Sequence, residues 1–203
     1  MKQVVKHSKK VFIMVALLAT VMGYANEPSF FYIRNDVSRT ILTLTYVKEG
    51  NLLTIKDDNG ITLYKEPIEA TGVYTKEFDL TSLPDGNYVF ELDKDLEIRT
   101  VPFKVATSVV TFDKSKETVS FKPYVWMKKD KVFVSKLALN LEPMDVAIYY
   151  EGRDSNGFEL ISSEAITGEQ TIRRVYKLDG TREGNYKVVC TSEDRTFTET
   201  FKM

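Results

Sequence analysis

Histidine and cysteine are nearly missing from this chain. The single histidine, His7, falls within the first 25 residues, and the single cysteine is Cys190. One thiol cannot form an intrachain disulfide, so stability has to come from packing. With no histidine beyond residue 7, Ser-His-Asp and Cys-His catalysis are excluded, and so is histidine ligation of zinc or copper. Only metals bound through oxygen remain. Long apolar runs are missing too: Val11–Met22 covers twelve residues, whereas a helix needs about 20 to cross a hydrocarbon core of roughly 30 Å. No Gly-x-Gly-x-x-Gly, Gly-x-x-x-x-Gly-Lys-Ser/Thr or Gly-x-Ser-x-Gly string occurs, which removes the common nucleotide-binding and hydrolase motifs.

Lys2, Lys6, Lys9 and Lys10 precede the short apolar run, and Gly23-Tyr24-Ala25 follows it with small residues at the spacing of a cut. This order predicts a signal peptide over residues 1–25, cleaved after Ala25, and a secreted, periplasmic or cell-surface protein with no membrane insertion afterwards. No cysteine stands at the cut to carry a lipid anchor. Removing those residues takes four of the 28 bases and none of the 29 acids, leaving a mature charge of −5. No run of bases follows residue 25, so neither nucleic acid nor an anionic membrane is an expected partner.

The rest of the chain reads as short alternating runs rich in Val, Ile, Thr, Phe and Tyr, divided by Gly, Asn, Asp and Pro. That is a strand pattern, and no helical period is sustained. It also repeats. Leu80, Gly86-Asn87-Tyr88, Thr100 and Phe103-Lys104 return 98 positions later as Leu178, Gly184-Asn185-Tyr186, Thr198 and Phe201-Lys202. Earlier landmarks fit smaller offsets, with Asp57–Gly60 matching Asp154–Gly157 at 97 and Pro28 matching Pro123 at 95. Offsets that drift only between strands place the insertions in loops.

The expected fold is all-β: two tandem immunoglobulin-like antiparallel β-sandwiches, over residues 26–106 and 123–203, of seven strands each. The two runs Val109–Phe112 and Thr118–Phe121 flank a charged turn, and residues 107–122 read as a connecting hairpin or linker forming a semi-rigid joint, either extending the last strand of the first sandwich or beginning the second domain. Asn59-Gly60 and Asn156-Gly157 read as tight hairpin turns whose residues tolerate positive φ. Strands are expected to 141 after Lys131 and to 162 after Phe158.

The remaining candidate residues read mainly as structural. Gly86-x-Tyr88 and Gly184-x-Tyr186 fit a tyrosine corner, in which a phenol binds nearby backbone as the chain enters a central strand. Cys190 corresponds to Leu92 and is expected in the core. Lys76 and Arg174 recur on otherwise apolar faces and read as edge guards or snorkelling side chains. Asp57-Asp58-Asn59 and Asp93–Glu97 are the acidic clusters, and neither has the spacing of a calcium loop. They read as solvated turns. Phe30-Phe31-Tyr32, Tyr124-Val125-Trp126 and Tyr149-Tyr150 each place a ring outside their own core. Packing under a neighbouring domain is the expected role of these rings, with Trp126 the best candidate for a ligand platform.

Leu-Pro-Asp-Gly-Asn-Tyr before an apolar strand, with Asp-Asn-Gly-Ile-Thr-Leu-Tyr upstream, resembles the immunoglobulin-like sandwich modules of secreted Bacteroidetes proteins, including the C-terminal sorting domains of type IX secretion. The resemblance covers Leu52–Val105 and, more loosely, Val146–Met203. It implies a binding, adhesive or sorting role outside the cytoplasm. The expected function is therefore a non-enzymatic interaction module that meets a protein or glycan at the cell envelope. It carries no catalytic, cofactor or metal residues. Sorting or surface attachment is the alternative, and a glycan hydrolase using two carboxylates comes third.

Overall fold

The computed structural model describes residues 30–36, 39–153 and 155–203; the segment read as a signal peptide and Pro28 lie outside the described residues. The first sandwich contains β1 (Phe31–Asp36), β2 (Arg39–Val47), β3 (Leu52–Asp57), β4 (Thr62–Pro67), β5 (Gly72–Phe78), β6 (Gly86–Asp93) and β7 (Glu97–Ala106). Two short strands follow, β8 (Val109–Phe112) and β9 (Thr118–Phe121). A sheet ordered β1-β2-β5 faces one ordered β4-β3-β6-β7-β8, and every pairing is antiparallel.

The second sandwich contains β10 (Tyr124–Lys128), β11 (Lys131–Leu137), β12 (Met144–Gly152), β13 (Glu159–Ile166), β14 (Thr171–Lys177), β15 (Gly184–Ser192) and β16 (Arg195–Lys202). Its sheets, β10-β11-β14 and β13-β12-β15-β16, repeat the order of the first seven strands one for one. The protein is two tandem immunoglobulin-like sandwiches, all-β as the alternation requires.

Each core follows from that alternation. Leu42, Leu53, Phe90 and Leu92 fill the first, and Val134, Val146, Ile148 and Val188 the second, all at most 1% exposed. Cys190 lies in the second core, where burial pushes its thiol pKa up to about 12 and keeps it unreactive. The tyrosine corners form in both copies. The Tyr88 hydroxyl donates to the Pro84 carbonyl at 2.7 Å, and the Tyr186 hydroxyl to the Arg182 carbonyl at 3.0 Å.

Four details depart from the sequence reading. Residues 107–122 are not a hairpin, because β8 and β9 do not pair with each other. Both run antiparallel to β7, with Phe103 opposite Phe112 and Glu97 opposite Phe121. A short 3-10 turn over Lys114–Lys116 joins them. A ten-residue strand offers a long free edge, and lining that edge satisfies backbone groups that an isolated four-residue hairpin would leave in water. At the first Asn-Gly turn only the glycine takes positive φ, Gly60 at 76°. Asp57 holds this turn by accepting the N–H groups of Asn59 and Ile61 at 2.9 and 2.8 Å. β11 stops at Leu137 because Leu141 N–H closes a turn on the Ala138 carbonyl, and β13 continues to Ile166 opposite Met144. Finally, Tyr32 opposite Thr43 occupies the same place as Tyr124 opposite Ser135, so the true offset at the start of the copies is 92 and not 95.

The sandwiches meet through charge. Lys136, whose side chain is 1% exposed, donates to the Phe121 carbonyl at 2.8 Å and lies 3.5 Å from the Glu193 carboxylate. Ser120 on β9 also bonds Glu193. Glu91 lies on the outer side of β6, buried between Lys56 at 2.8 Å and Arg195 of the second sandwich at 2.6 Å. Burial alone would raise the Glu91 carboxyl, but Arg195 and Lys56 outweigh it and hold its pKa below 4.5. The turn that delivers Arg195 is a two-residue one with Glu193 and Asp194 at φ 52° and 58°, the conformation that matches strand twist in tight hairpins. Paired charges thus span the joint at two places, Glu91 with Arg195 and Lys136 with Glu193.

Candidate binding face

The two acidic clusters are occupied by partners within the chain. Asp93 pairs with Lys122, Asp95 with Lys48 at 2.7 Å, and Glu97 with both Lys94 at 3.1 Å and Arg99 at 2.9 Å. Asp93–Glu97 is the turn between β6 and β7, closed by Lys94 N–H on the Glu97 carbonyl with Asp95 exposed, and its acids are in addition drawn into ion pairs beside the joint. In the other cluster, Asp57 caps its turn and Asp58 accepts from Asn87 at 3.1 Å.

Lys76 and Arg174 also have partners that periodicity could not supply. Lys76 on β5 reaches Glu66 on β4, and Arg174 on β14 reaches Glu164 on β13 at 2.7 Å. Each pair joins the edge strand of one sheet to the edge strand of the other, closing the open side of its sandwich. Arg174 also holds Glu169 at 2.6 Å, and the Tyr176 hydroxyl donates to Glu164 at 2.7 Å. Hydrogen bonds from Arg174 and Tyr176 lower the Glu164 pKa, and that from Lys76 lowers Glu66.

The aromatic candidates separate by position. Phe31 and Tyr150 are buried. Phe30 lies under the Arg99 guanidinium at 3.5 Å and near Lys94 at 4.3 Å, so it belongs to the ion-pair chain at the joint. Tyr149 faces outward beneath Lys187, whose ammonium is 4.9 Å from the ring centre. Trp126 does not pack under the first sandwich. It stands in a row of stacked rings on the outer face of β10-β11-β14, 5.3 Å from Tyr124 and 4.9 Å from Phe133.

Strand register sets that face out in three rows. The row nearest the joint is Tyr124, Ser135 and Arg173; the middle row is Trp126, Phe133 and Val175; the far row is Lys128, Lys131 and Lys177. Tyr124 is 55% exposed, Trp126 37% and Val175 58%. Lys128, Lys131, Lys177 and Arg173 are exposed, and among the described residues none of the four has an acidic partner within ion-pair distance. Asp130, in the turn between two of the lysines, is the nearest acid along the chain. The near row opens on a cleft of about 280 Å³, shared with Leu96 and Lys122 at the joint. The sequence argument against anionic partners rested on bases being scattered along the chain. Three neighbouring strands gather them on one surface.

No family model and no curated protein matches the chain. Among solved structures it is similar to a biofilm-associated protein BSP domain at 10% identity and TM-score 0.27, over 91% of this chain and 31% of that one. The chicken CNTN1 FN1-FN3 domains match at 9% identity and TM-score 0.27 over 80% of this chain and 60% of theirs. The human OSCAR ligand-binding domain matches at 10% identity and TM-score 0.25 over 86% and 97%. The chain thus spans less than a third of the first and under two thirds of the second. Similarity at this level says nothing about shared ligands or partners.

Proposed function

We propose that the chain is an exported, non-enzymatic recognition protein of the cell envelope. In this reading, two sandwiches locked at a charged joint present one sheet face to a protein or glycan. The observation that carries it is the outer face of β10-β11-β14, where exposed stacked rings stand beside four cations without acidic partners. Exposed aromatic surface is costly to maintain in water and is enriched where partners bind, and a cluster of cations without acidic partners attracts a ligand of opposite charge. The acids support the non-enzymatic half, since those of the two clusters are committed to ion pairs or turn caps.

The test is capture from a native envelope fraction by the full secreted chain. Tyr124→Ala combined with Val175→Ser should abolish most of the capture, while Tyr32→Ser on the matching face of the first sandwich should leave it intact. Capture that is absent, or equally reduced by both changes, overturns the reading.

A further inference from the structure

Resting on that reading, we propose that the outer face of β10-β11-β14 binds an acidic polysaccharide whose sugar rings carry carboxylates. The face is flat and built in bands. Four bases and no acid occupy its three rows, with the aromatic and apolar middle row between the cations of the near and far rows. At roughly 3.4 Å per residue along a strand, Arg173 and the far lysines stand about 14 Å apart, measured from the sheet backbone. A polymer lying along the strands would set an anion at each end of that span and an apolar ring face over Tyr124 and Val175, beside the exposed edge of the stacked Trp126. The exposed phenol of Tyr124 can donate to ring hydroxyls, and it stands at the mouth of the cleft at the joint.

Two other classes of anion fit less well. A single-stranded nucleic acid stacks each base on a free aromatic face. Here the Trp126 ring lies parallel to Phe133 within 7° and to Tyr124 within 29°, so much of the ring surface is spent within the row. A protein partner favours arginine and avoids lysine at the core of an interface, yet three of the four cations are lysines on flexible stems, suited to repeated, loosely placed charges. The matching face of the first sandwich lacks this character. Its rows are Tyr32, Thr43 and Thr75, then Arg34, Ile41 and Glu77, then Asp36 and Arg39, with Arg39 paired to Glu77 at 3.2 Å.

Trp126 is the only tryptophan in the chain, so its fluorescence reports directly on this face. The full secreted chain would be titrated with polygalacturonate, neutral dextran, a single-stranded oligonucleotide and polyglutamate. Polygalacturonate is expected to shift the emission, and to bind at least roughly tenfold more weakly in 300 mM salt than in 50 mM. Dextran should leave the spectrum unchanged. The triple variant Lys128→Glu, Lys131→Glu, Lys177→Glu should lose roughly tenfold or more in affinity while its thermal unfolding stays close to that of the parent, since all three side chains are exposed. Tyr124→Ala should lose severalfold. Equal binding of dextran, tighter binding of the oligonucleotide or polyglutamate, or a triple variant with unchanged affinity each overturns the proposal. Envelope capture that survives the triple variant sinks the polysaccharide alone, whereas absence of any capture sinks the broader recognition reading.

Discussion

The outer faces of the two three-stranded sheets share strand order and register, position for position, and carry opposite chemistry. Where the first sandwich has Arg34, Ile41 and Glu77 in its middle row, the second has Trp126, Phe133 and Val175. Where the first ends on Asp36 beside Arg39, the second ends on three lysines. The interior devices behave differently. Both copies keep a tyrosine bonded to the carbonyl four residues earlier, and both keep a base clamped across the sheets to a glutamate at the same offset. Features retained in both copies hold the fold together. A face that is neutral in one copy and basic in the other is free to differ because packing does not fix it, so it is where a new role can be placed.

The joint shows the same asymmetry, and breaking it should have the largest effect. Glu91 is buried between two cations, one from each sandwich, and no ion pair links its counterpart in the second copy to another domain among the described residues. Glu91→Ala leaves Arg195 and Lys56 facing each other without a partner. A fully buried pair costs about 3–5 kcal/mol to break in this way, and the partial exposure of both cations brings the expected loss to about 2–3 kcal/mol. Urea unfolding should show it as a lowered midpoint. The sign with pH is fixed by the lowered Glu91 pKa: its contribution is complete above 4.5 and is lost as pH falls through the folded value. The difference between parent and variant should therefore shrink as the pH is taken down into acid below 4.5, and a difference that stays constant throughout would show that Glu91 is not the ionised link.

Most of the scaffold was legible in the sequence, because strand alternation is local and duplication marks equivalent positions. Tyr88, Tyr186 and Cys190 were placed by spacing alone. What could not be read depends on which strands become neighbours. Lys128, Lys131 and Lys177 lie up to 49 positions apart along the chain, so no window of sequence contains the basic patch, and only the β10-β11-β14 order assembles it. Nothing in the sequence marks Glu91, because its partner Arg195 lies 104 positions away in the other sandwich. The pairing of β8 and β9 with β7 was hidden for a similar reason: two short runs around a turn are what a hairpin also looks like.

The glycine of the corner motif provides a finer contrast. A Cβ on Gly184 would run into the Glu151 carbonyl oxygen and lie 2.8 Å from the Tyr150 ring. On Gly86 the nearest atom would be the Tyr88 hydroxyl at 3.4 Å, an ordinary contact. The same motif position should therefore tolerate alanine in one copy and not in the other. Gly184→Ala should cost about 1–3 kcal/mol through overpacking against backbone, and Gly86→Ala less than about 0.5 kcal/mol. Separate unfolding transitions, or tryptophan fluorescence for the second sandwich against far-ultraviolet circular dichroism for the whole chain, would resolve the two. Equal costs would mean that the close approach of Glu151 and Tyr150 does not set the requirement for glycine at position 184.

The smallest expected effect comes from the inter-sheet clamps, which differ in valence. Lys76 holds one glutamate with a single ammonium, while Arg174 holds Glu164 and Glu169 together and shares Glu164 with the Tyr176 hydroxyl. A planar guanidinium bridging two carboxylates is a stronger and more directional contact than a point charge. Both clamps are roughly one third exposed, so water and salt screen them and neither approaches the worth of a buried pair. Lys76→Met should lower stability by about 0.5 kcal/mol and Arg174→Met by about 1 kcal/mol, with the gap between them narrowing as salt is raised. If the two substitutions cost the same at every ionic strength, the extra partners of Arg174 contribute nothing. The clamp then serves in both copies only to keep an edge strand from pairing with another chain, a role that would show as aggregation of the methionine variants and not as a shifted midpoint.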